Sequence, residues 1–174
     1  MAGAPYTELH CHSAFSFLDG ASLPYELAQR AGELGYDALA LTDHNSVSGS
    51  MEMAQAASEH GIRAIHGAEI DLAPEAGMER RPISANAGME RRRHLTLLVR
   101  DERGWRNLCR VLTHAHAHTR DGSARRELGE PRVELKFLLE HAEGLVCLTG
   151  CAERSALRGE MRHGTLQKGL AARL

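Results

Sequence analysis

The sequence has no long apolar run, no secretory start and no paired-cysteine motif. No stretch approaches the roughly 18 to 20 apolar residues of a membrane-spanning helix, and the opening MAGAP lacks the basic and apolar segments of a signal peptide. The four cysteines are scattered, without CxxC spacing or a secreted disulfide framework. These absences predict a cytoplasmic protein with no membrane association, and 174 residues are enough for one domain with its own core.

Net charge is also small. A net charge of −2 argues against a domain that binds nucleic acid through its overall charge. Positive charge is nevertheless concentrated between residues 80 and 132, where arginines outnumber acidic residues. This region is therefore a candidate to face an anionic partner such as DNA or a nucleotide phosphate.

Strand and helix patterns alternate along most of the chain. Short apolar runs predict buried strands, and amphipathic stretches that end near glycine predict helices. Strands linked in turn by helices indicate right-handed βαβ units, and hence an α/β protein with a parallel sheet or barrel. The predicted strands cover 6–13, 38–41, 62–70, 94–99 and 145–149, and the predicted helices cover 23–34, 48–60, 102–118 and 133–141.

The alternation is interrupted between residues 74 and 93. The hexapeptide AGMERR occurs at 76–81 and again at 87–92, and nothing in it builds a core. The segment is therefore predicted to be a flexible, solvated insertion. It is either a simple surface expansion or a basic flap, in which Arg91, Arg92 and Arg93 would contact nucleic acid.

Histidines and carboxylates follow the predicted strands. His10 and His12 are two residues apart in a strand, so they project to the same face, and neutral imidazole is a common ligand of transition metals. In parallel βα folds the site forms where the strands end. The side chains expected at that edge are those of His10, His12, Asp19, His44, Glu69 and Cys151.

His94 does not fit a strictly parallel sheet, because it opens its strand and would lie at the opposite edge. It would join the others if the 74–93 segment turned back, so that the strand at 94–99 started beside Glu69.

Five segments together resemble a known family. The segment YTELHCHSAFSFLDGAS at 6–22 is followed in order by LTDH at 41–44, GAEI at 67–70, HLTLLV at 94–99 and LTGC at 148–151. They are similar to the motifs of the polymerase and histidinol phosphatase (PHP) domain found at the N-terminus of bacterial C-family DNA polymerases. The sequence FSFLDGAS, together with ALTDH, resembles the error-prone polymerases of this family more than the replicative ones.

The resemblance implies a distorted (β/α)7 barrel that binds up to three divalent transition metal ions, such as Zn, Mn or Fe. It also implies a 3′→5′ exonuclease or other phosphoesterase activity in some members, DNA or nucleotide phosphates as substrates, and a polymerase catalytic domain as partner in a full-length protein. The residues that match the family's metal ligands, with Glu69 as the bridging one, are His10, His12, Asp19, His44, Glu69, His94 and Cys151.

One family feature is missing. A late strand bearing Asp-x-His closes the family's barrel, but here no Asp follows Asp121, and His163 lies in a tail with helical patterning. The expectation is that residues 1–174 form the N-terminal part of a PHP domain, an incomplete barrel without its late strands. An under-liganded centre, weak or absent exonuclease activity and self-association through open sheet edges would follow.

Three functions stay open from the sequence. The first is a metal-dependent phosphoesterase, the second a non-catalytic module in which metal stabilises a polymerase, and the third a free-standing phosphatase of the histidinol phosphate type. Asp43 would either fix the tautomer of an imidazole or cap a loop. The histidines at 114, 116 and 118 indicate either a second metal site or a solvated helix end, and Cys11 and Cys147 are expected to pack in the core.

Overall fold

The computed structural model describes residues 6–74, 94–117, 119 and 129–148, which contain four helices and four strands. All four predicted helices are present, each shorter than its pattern suggested. In chain order the elements are α1 (Pro24–Glu33), β1 (Ala38–Leu41), α2 (Ser50–Glu59), β2 (Arg63–Asp71), β3 (His94–Val99), α3 (Glu102–His116), α4 (Leu135–Glu140) and β4 (Leu145–Leu148).

The first helices begin and end for identifiable local reasons. Pro24 occupies the first helical position of α1, where its missing N–H is not needed. The Glu26 carboxylate accepts the Leu23 backbone N–H at 2.8 Å and so satisfies a donor before the first turn. Gly35 and Gly61 follow α1 and α2 with φ of +73° and +69°, as the sequence predicted for helix stops.

The strands form one sheet in the order β1-β2-β3-β4. β1 and β2 are parallel, as predicted, but β3 is antiparallel to both β2 and β4, so the expectation of a wholly parallel sheet was wrong. The 74–93 link carries no helical pattern of the kind that parallel crossovers use. Asp71 lies opposite His94, so β3 starts beside the end of β2, and this confirms the turned-back arrangement suggested for His94.

The predicted strand at 6–13 is reduced to a single parallel bridge between Glu8 and Leu39. Its direction beside β1 is kept, because Ala40 N donates to Glu8 O at 2.9 Å and Thr42 N donates to Cys11 O at 2.8 Å. The Glu8 side chain accepts the N–H of His10 at 2.9 Å, and such local bonds compete with a regular ladder. The segment is therefore extended rather than a full strand.

Two apolar clusters pack against the sheet. One joins α1 and α2 to β1, with Leu39, Leu41 and Met53 buried at its centre, and the other joins α3 and α4 to β2 and β3. Cys11 packs against the first cluster and Cys147 against the second, as predicted. Burial raises the pKa of Cys11 to about 11 and also raises that of Cys147, so neither thiol is poised for reaction.

β4 is less buried than its apolar sequence suggested. Val146 is 43% exposed, and among the described strands β4 pairs only with β3. The prediction of a fully buried strand there was wrong, because β4 lies at the edge of the described sheet. No helix among the described residues is long and apolar enough to cross a membrane.

Candidate metal centre

Glu69 lies near the end of β2 with its carboxylate enclosed by four imidazoles. Its side chain is only 1% exposed. One oxygen, Oε2, is 2.5 Å from His10 Nε2 and 3.6 Å from His12 Nε2. The other, Oε1, is 3.0 Å from His44 Nδ1 and 2.8 Å from His94 Nδ1. The structure thus brings together five of the seven residues that the resemblance singled out.

Extended backbone and its pairing with the strands set these positions. His10 and His12 share a face, as predicted, with ring centroids 4.9 Å apart. His44 forms a parallel bridge with Glu69, in which Glu69 N donates to Asp43 O and Asn45 N donates to Glu69 O. Because bridged residues lie side by side, the His44 ring lies on the same face of the sheet as the Glu69 carboxylate.

Asp19 reaches the centre from the loop that follows the histidine pair. Its Oδ2 lies 2.8 Å from His44 Nε2, and its side chain is 46% exposed. The loop is tight: the N–H groups of Asp19 and Gly20 both bond to Ser16 O, at 3.0 and 2.9 Å. A Cβ on Gly20 would lie 1.9 Å from Ser13 O, so only glycine fits there.

Asp43 anchors this loop. Its buried carboxylate accepts hydrogen bonds from Ser13 N, Ser13 Oγ and Ser16 Oγ, each at 2.7 Å. These contacts support the loop-capping alternative for Asp43 over a direct partnership with an imidazole. Sequence reasoning missed the two serines, although their spacing just after the histidine pair was a usable signal.

The charges of the centre are strongly coupled. Burial by itself would raise the pKa of Glu69, but the four surrounding imidazoles hold it well below its usual range. The Glu69 carboxylate raises the pKa of His44, burial opposes that rise, and Asp19 adds to it. A permanently ionised carboxylate among imidazoles provides the negative charge that a bound cation requires.

Unsatisfied atoms test whether the cluster fits a metal ion. Among the described residues, six buried side-chain nitrogen or oxygen atoms lack a hydrogen-bond partner, and three of them are His12 Nε2, His44 Nε2 and Glu69 Oε1. Glu69 Oε1 and His44 Nε2 lie within 3.0 Å of polar atoms, yet none of those contacts has hydrogen-bond geometry. Three nitrogen or oxygen atoms that converge without hydrogen-bond partners fit an ion held between them.

Two overlapping sets of residues have ligand atoms within 4.8 Å of one another. We call His10, His12 and Glu69 the Glu69 group, and His12, Asp19 and His44 the Asp19 group. His12 belongs to both. Nitrogen and carboxylate oxygen ligands of this kind suit zinc, iron and manganese, so the donor chemistry fits the divalent ions that the resemblance implies.

The other predicted residues either lie outside the described residues or make contacts elsewhere. Cys151, Arg91, Arg92 and Arg93 lie outside the described residues, as does nearly all of the predicted 74–93 insertion. His114 Nε2 instead contacts Glu134 Oε2 at 2.7 Å, and its ring stacks on Phe137 with centroids 3.8 Å apart.

His116 Nε2 contacts the carbonyl of Asn45 at 2.9 Å. Neither His114 nor His116 belongs to a group of three candidate ligands among the described residues, and His118, the third histidine of the suggested second site, lies outside them.

Curated relatives with closely similar sequences are DNA polymerases. The chain is 44% identical over 151 residues to the error-prone DNA polymerase of Mycolicibacterium paratuberculosis, covering 86% of this chain and 13% of that protein. It is 38% identical to the DNA polymerase III subunit alpha of Treponema pallidum, covering 96% of this chain and 13% of that protein. The chain therefore spans little more than a tenth of the length of these relatives.

A solved structure of an amidohydrolase from Chromobacterium violaceum is 30% identical and covers 64% of this chain and 33% of that one, with a TM-score of 0.47. The PHP domain family model matches residues 8–167, which is nearly the whole chain. The four imidazoles around Glu69 come from segments that carry the family's motifs, in the family's order. The chain belongs to the PHP domain family.

Proposed function

We propose that this chain is the metal-binding PHP domain of an error-prone C-family DNA polymerase, with a centre suited to phosphoester hydrolysis and weak or absent exonuclease activity in residues 1–174. The observation that carries the proposal is the Glu69 carboxylate, 1% exposed and enclosed by four imidazoles, with buried nitrogen or oxygen atoms that lack a hydrogen-bond partner on three residues of the cluster. A buried charge so placed is stable only when cations or hydrogen bonds compensate it.

The proposed ligands divide by position. His10 and Glu69 would hold one ion, Asp19 and His44 another, and His12 is placed to serve either. Glu69 Oε1 also contacts His94 Nδ1, at 2.8 Å. Cys151 is proposed as a further ligand by its match to the family motif. The ions are proposed to be zinc, manganese or iron.

Divalent ions, when bound, polarise phosphoryl oxygens and lower the pKa of a coordinated water, so no serine or cysteine nucleophile is required. The protein's part is to hold and orient. Glu69 keeps its charge, and Asp19, 46% exposed, lies on the side that solvent and substrate can approach. The buried side, with His94 4% exposed, excludes water and fixes the ligand positions.

The proposed substrate is a DNA 3′ end or a nucleotide. The relatives favour this choice, since they are DNA polymerases of which this chain matches only a part. In a longer protein the polymerase catalytic domain would be the partner. Arg91, Arg92 and Arg93 are proposed to contact DNA phosphates, and replacing all three with alanine should then flatten the salt dependence of single-strand binding.

A second candidate is a structural metal module without turnover. It is favoured by the burial of Glu69 and His94 on paired strands, where an ion would fasten β2 to β3. The two candidates separate in one experiment, which measures metal content alongside release of nucleotides from 3′-labelled single-stranded DNA. Chelator-sensitive release that His12→Ala abolishes would establish the phosphoesterase, whereas bound metal without release would establish the structural module.

A further inference from the structure

The loop after β1 contains a side chain that bonds to the sheet in place of the backbone. Asn45 Nδ2 donates to Asp71 Oδ2 at 3.0 Å, and Asp71 N donates to Asn45 Oδ1 at 3.0 Å. Both residues are buried, at 7% and 3% exposed. The Asn45 amide cannot rotate without losing both bonds, so its orientation is fixed.

These bonds extend the pairing of β1 with β2 by one step. Asn45 N donates to Glu69 O at 2.7 Å, which is a regular parallel contact. In a continuing parallel ladder, the next bond would run from Asp71 N to the backbone carbonyl of Asn45. Here Asn45 Oδ1 accepts that N–H instead, so the side chain substitutes for its own carbonyl.

The carbonyl released in this way is held by α3. His116 Nε2 lies 2.9 Å from Asn45 O, and because a carbonyl only accepts, the imidazole must carry its proton on Nε2. Asn45 has a φ of +47°, in the left-handed region that asparagine tolerates better than most residues. The chain can therefore leave the sheet directly after His44.

We propose that Asn45 is a positioning residue for the Asp19 group. By ending the ladder one residue after His44, and by fastening the loop to β2 and α3, it holds the His44 imidazole between Glu69 Oε1 at 3.0 Å and Asp19 Oδ2 at 2.8 Å. The inference rests on the metal-binding function proposed above. It assigns to Asn45 an effect on one group of ligands and none on the Glu69 group.

Paired variants test this role. Asn45→Asp sets a carboxylate against the Asp71 carboxylate, and like charges this close repel. The double variant Asn45→Asp/Asp71→Asn restores one donor facing one acceptor with the roles exchanged. Asn45→Gly keeps the left-handed backbone accessible and removes only the side-chain amide. It therefore separates the effect of the two hydrogen bonds to Asp71 from the effect of the turn.

The measurement is a Co²⁺ titration of chelator-stripped protein, monitored by visible absorption and by calorimetry. Thermal unfolding of the metal-free variants is measured separately. Wild type should bind two ions. Asn45→Asp should weaken the Asp19-group ion by about 10- to 100-fold, as expected when a group that orients a ligand is lost, and leave the other ion unchanged. The double variant should recover most of the lost affinity.

A double-mutant cycle decides between positioning and a general loss of stability. In an Asp19→Ala background, Asn45→Asp should have no further effect on Co²⁺ binding, because the group it positions is already broken. Equal weakening of both ions, or no recovery in the double variant, would overturn the inference. If Asn45→Asp binds two ions with wild-type affinities, the inference about Asn45 fails and the proposed function stands. If the wild type binds no Co²⁺, the proposed function fails as well.

Discussion

The candidate metal centre is built on paired strands at one side and on a loop at the other. Glu69 and His94 lie on β2 and β3 with side chains 1% and 4% exposed, whereas Asp19 lies in a loop and is 46% exposed. Main-chain pairing positions the strand side, and hydrogen bonds from serines to Asp43 position the loop side. The strand side should therefore be the tighter binder and the loop side the more easily disturbed.

The largest effect is expected for Glu69→Gln, which keeps the shape of the side chain and removes its charge. Both groups depend on this carboxylate, directly or through His44, so metal content after dialysis against a weak chelator should fall close to zero for both ions. Glu59→Gln, at an exposed position on α2, is the matched control and should bind as wild type does. Retention of both ions by Glu69→Gln would refute the central place given to this residue.

Asp19→Ala should break only the loop side. Because the Glu69 group does not include Asp19, one ion should remain and the other should be lost after the same dialysis. Elemental analysis of both variants gives the stoichiometry directly. Loss of both ions in Asp19→Ala would mean that the two sides do not act separately.

Asp43→Asn tests how the loop is held. The carboxylate accepts three hydrogen bonds in a buried position, and an amide oxygen cannot replace all of them. The metal-free protein should lose roughly 1–3 kcal/mol of unfolding free energy, measured by denaturant titration, and the Asp19-group ion should weaken with it. An unchanged midpoint, matching that of the exposed variant Asp37→Asn, would show that the serines do not anchor the loop.

A smaller effect should distinguish the metal-free and metal-loaded proteins by the direction of their pH dependence. The pKa of His44 is raised, so its contribution to metal-free stability is present below pH about 6.5 and declines as pH rises through the higher folded value. Metal binding requires the neutral imidazole, so the loaded protein should instead gain stability over the same rise. Thermal unfolding from pH 6 to 8 with and without chelator measures both slopes, and parallel slopes would contradict the assignment.

The strand side was largely predictable from sequence. Alternation placed His10 and His12 on one face, and β1 and β3 have the predicted boundaries. The segment at 6–13 forms one bridge and not the full strand predicted. The direction of β3 was reached only as an alternative for His94, because a short apolar run does not indicate strand direction, which depends on the link before it. Asp71 opposite His94 shows how that direction brings His94 to the centre.

The loop side was predictable only in its ligands. Asp19 was identified through its motif, but the partners that hold it could not be, because hydrogen bonds from Ser13 and Ser16 to Asp43 join residues 27 to 30 positions apart. Asn45 was missed for a related reason. Replacement of a backbone acceptor by a side chain leaves no periodic pattern, and only the register of β1 and β2 reveals it.

His12 lies in both ligand groups, and this has a thermodynamic consequence. Its unsatisfied Nε2 can serve one ion at a time, so an ion that takes this imidazole leaves the other group with two of its three ligands. Filling either site should lower the affinity of the other by the same factor, because binding linkage is reciprocal. Because the strand side should bind more tightly, the first ion would take His12, and the Asp19 group would fill second with Asp19 and His44 alone.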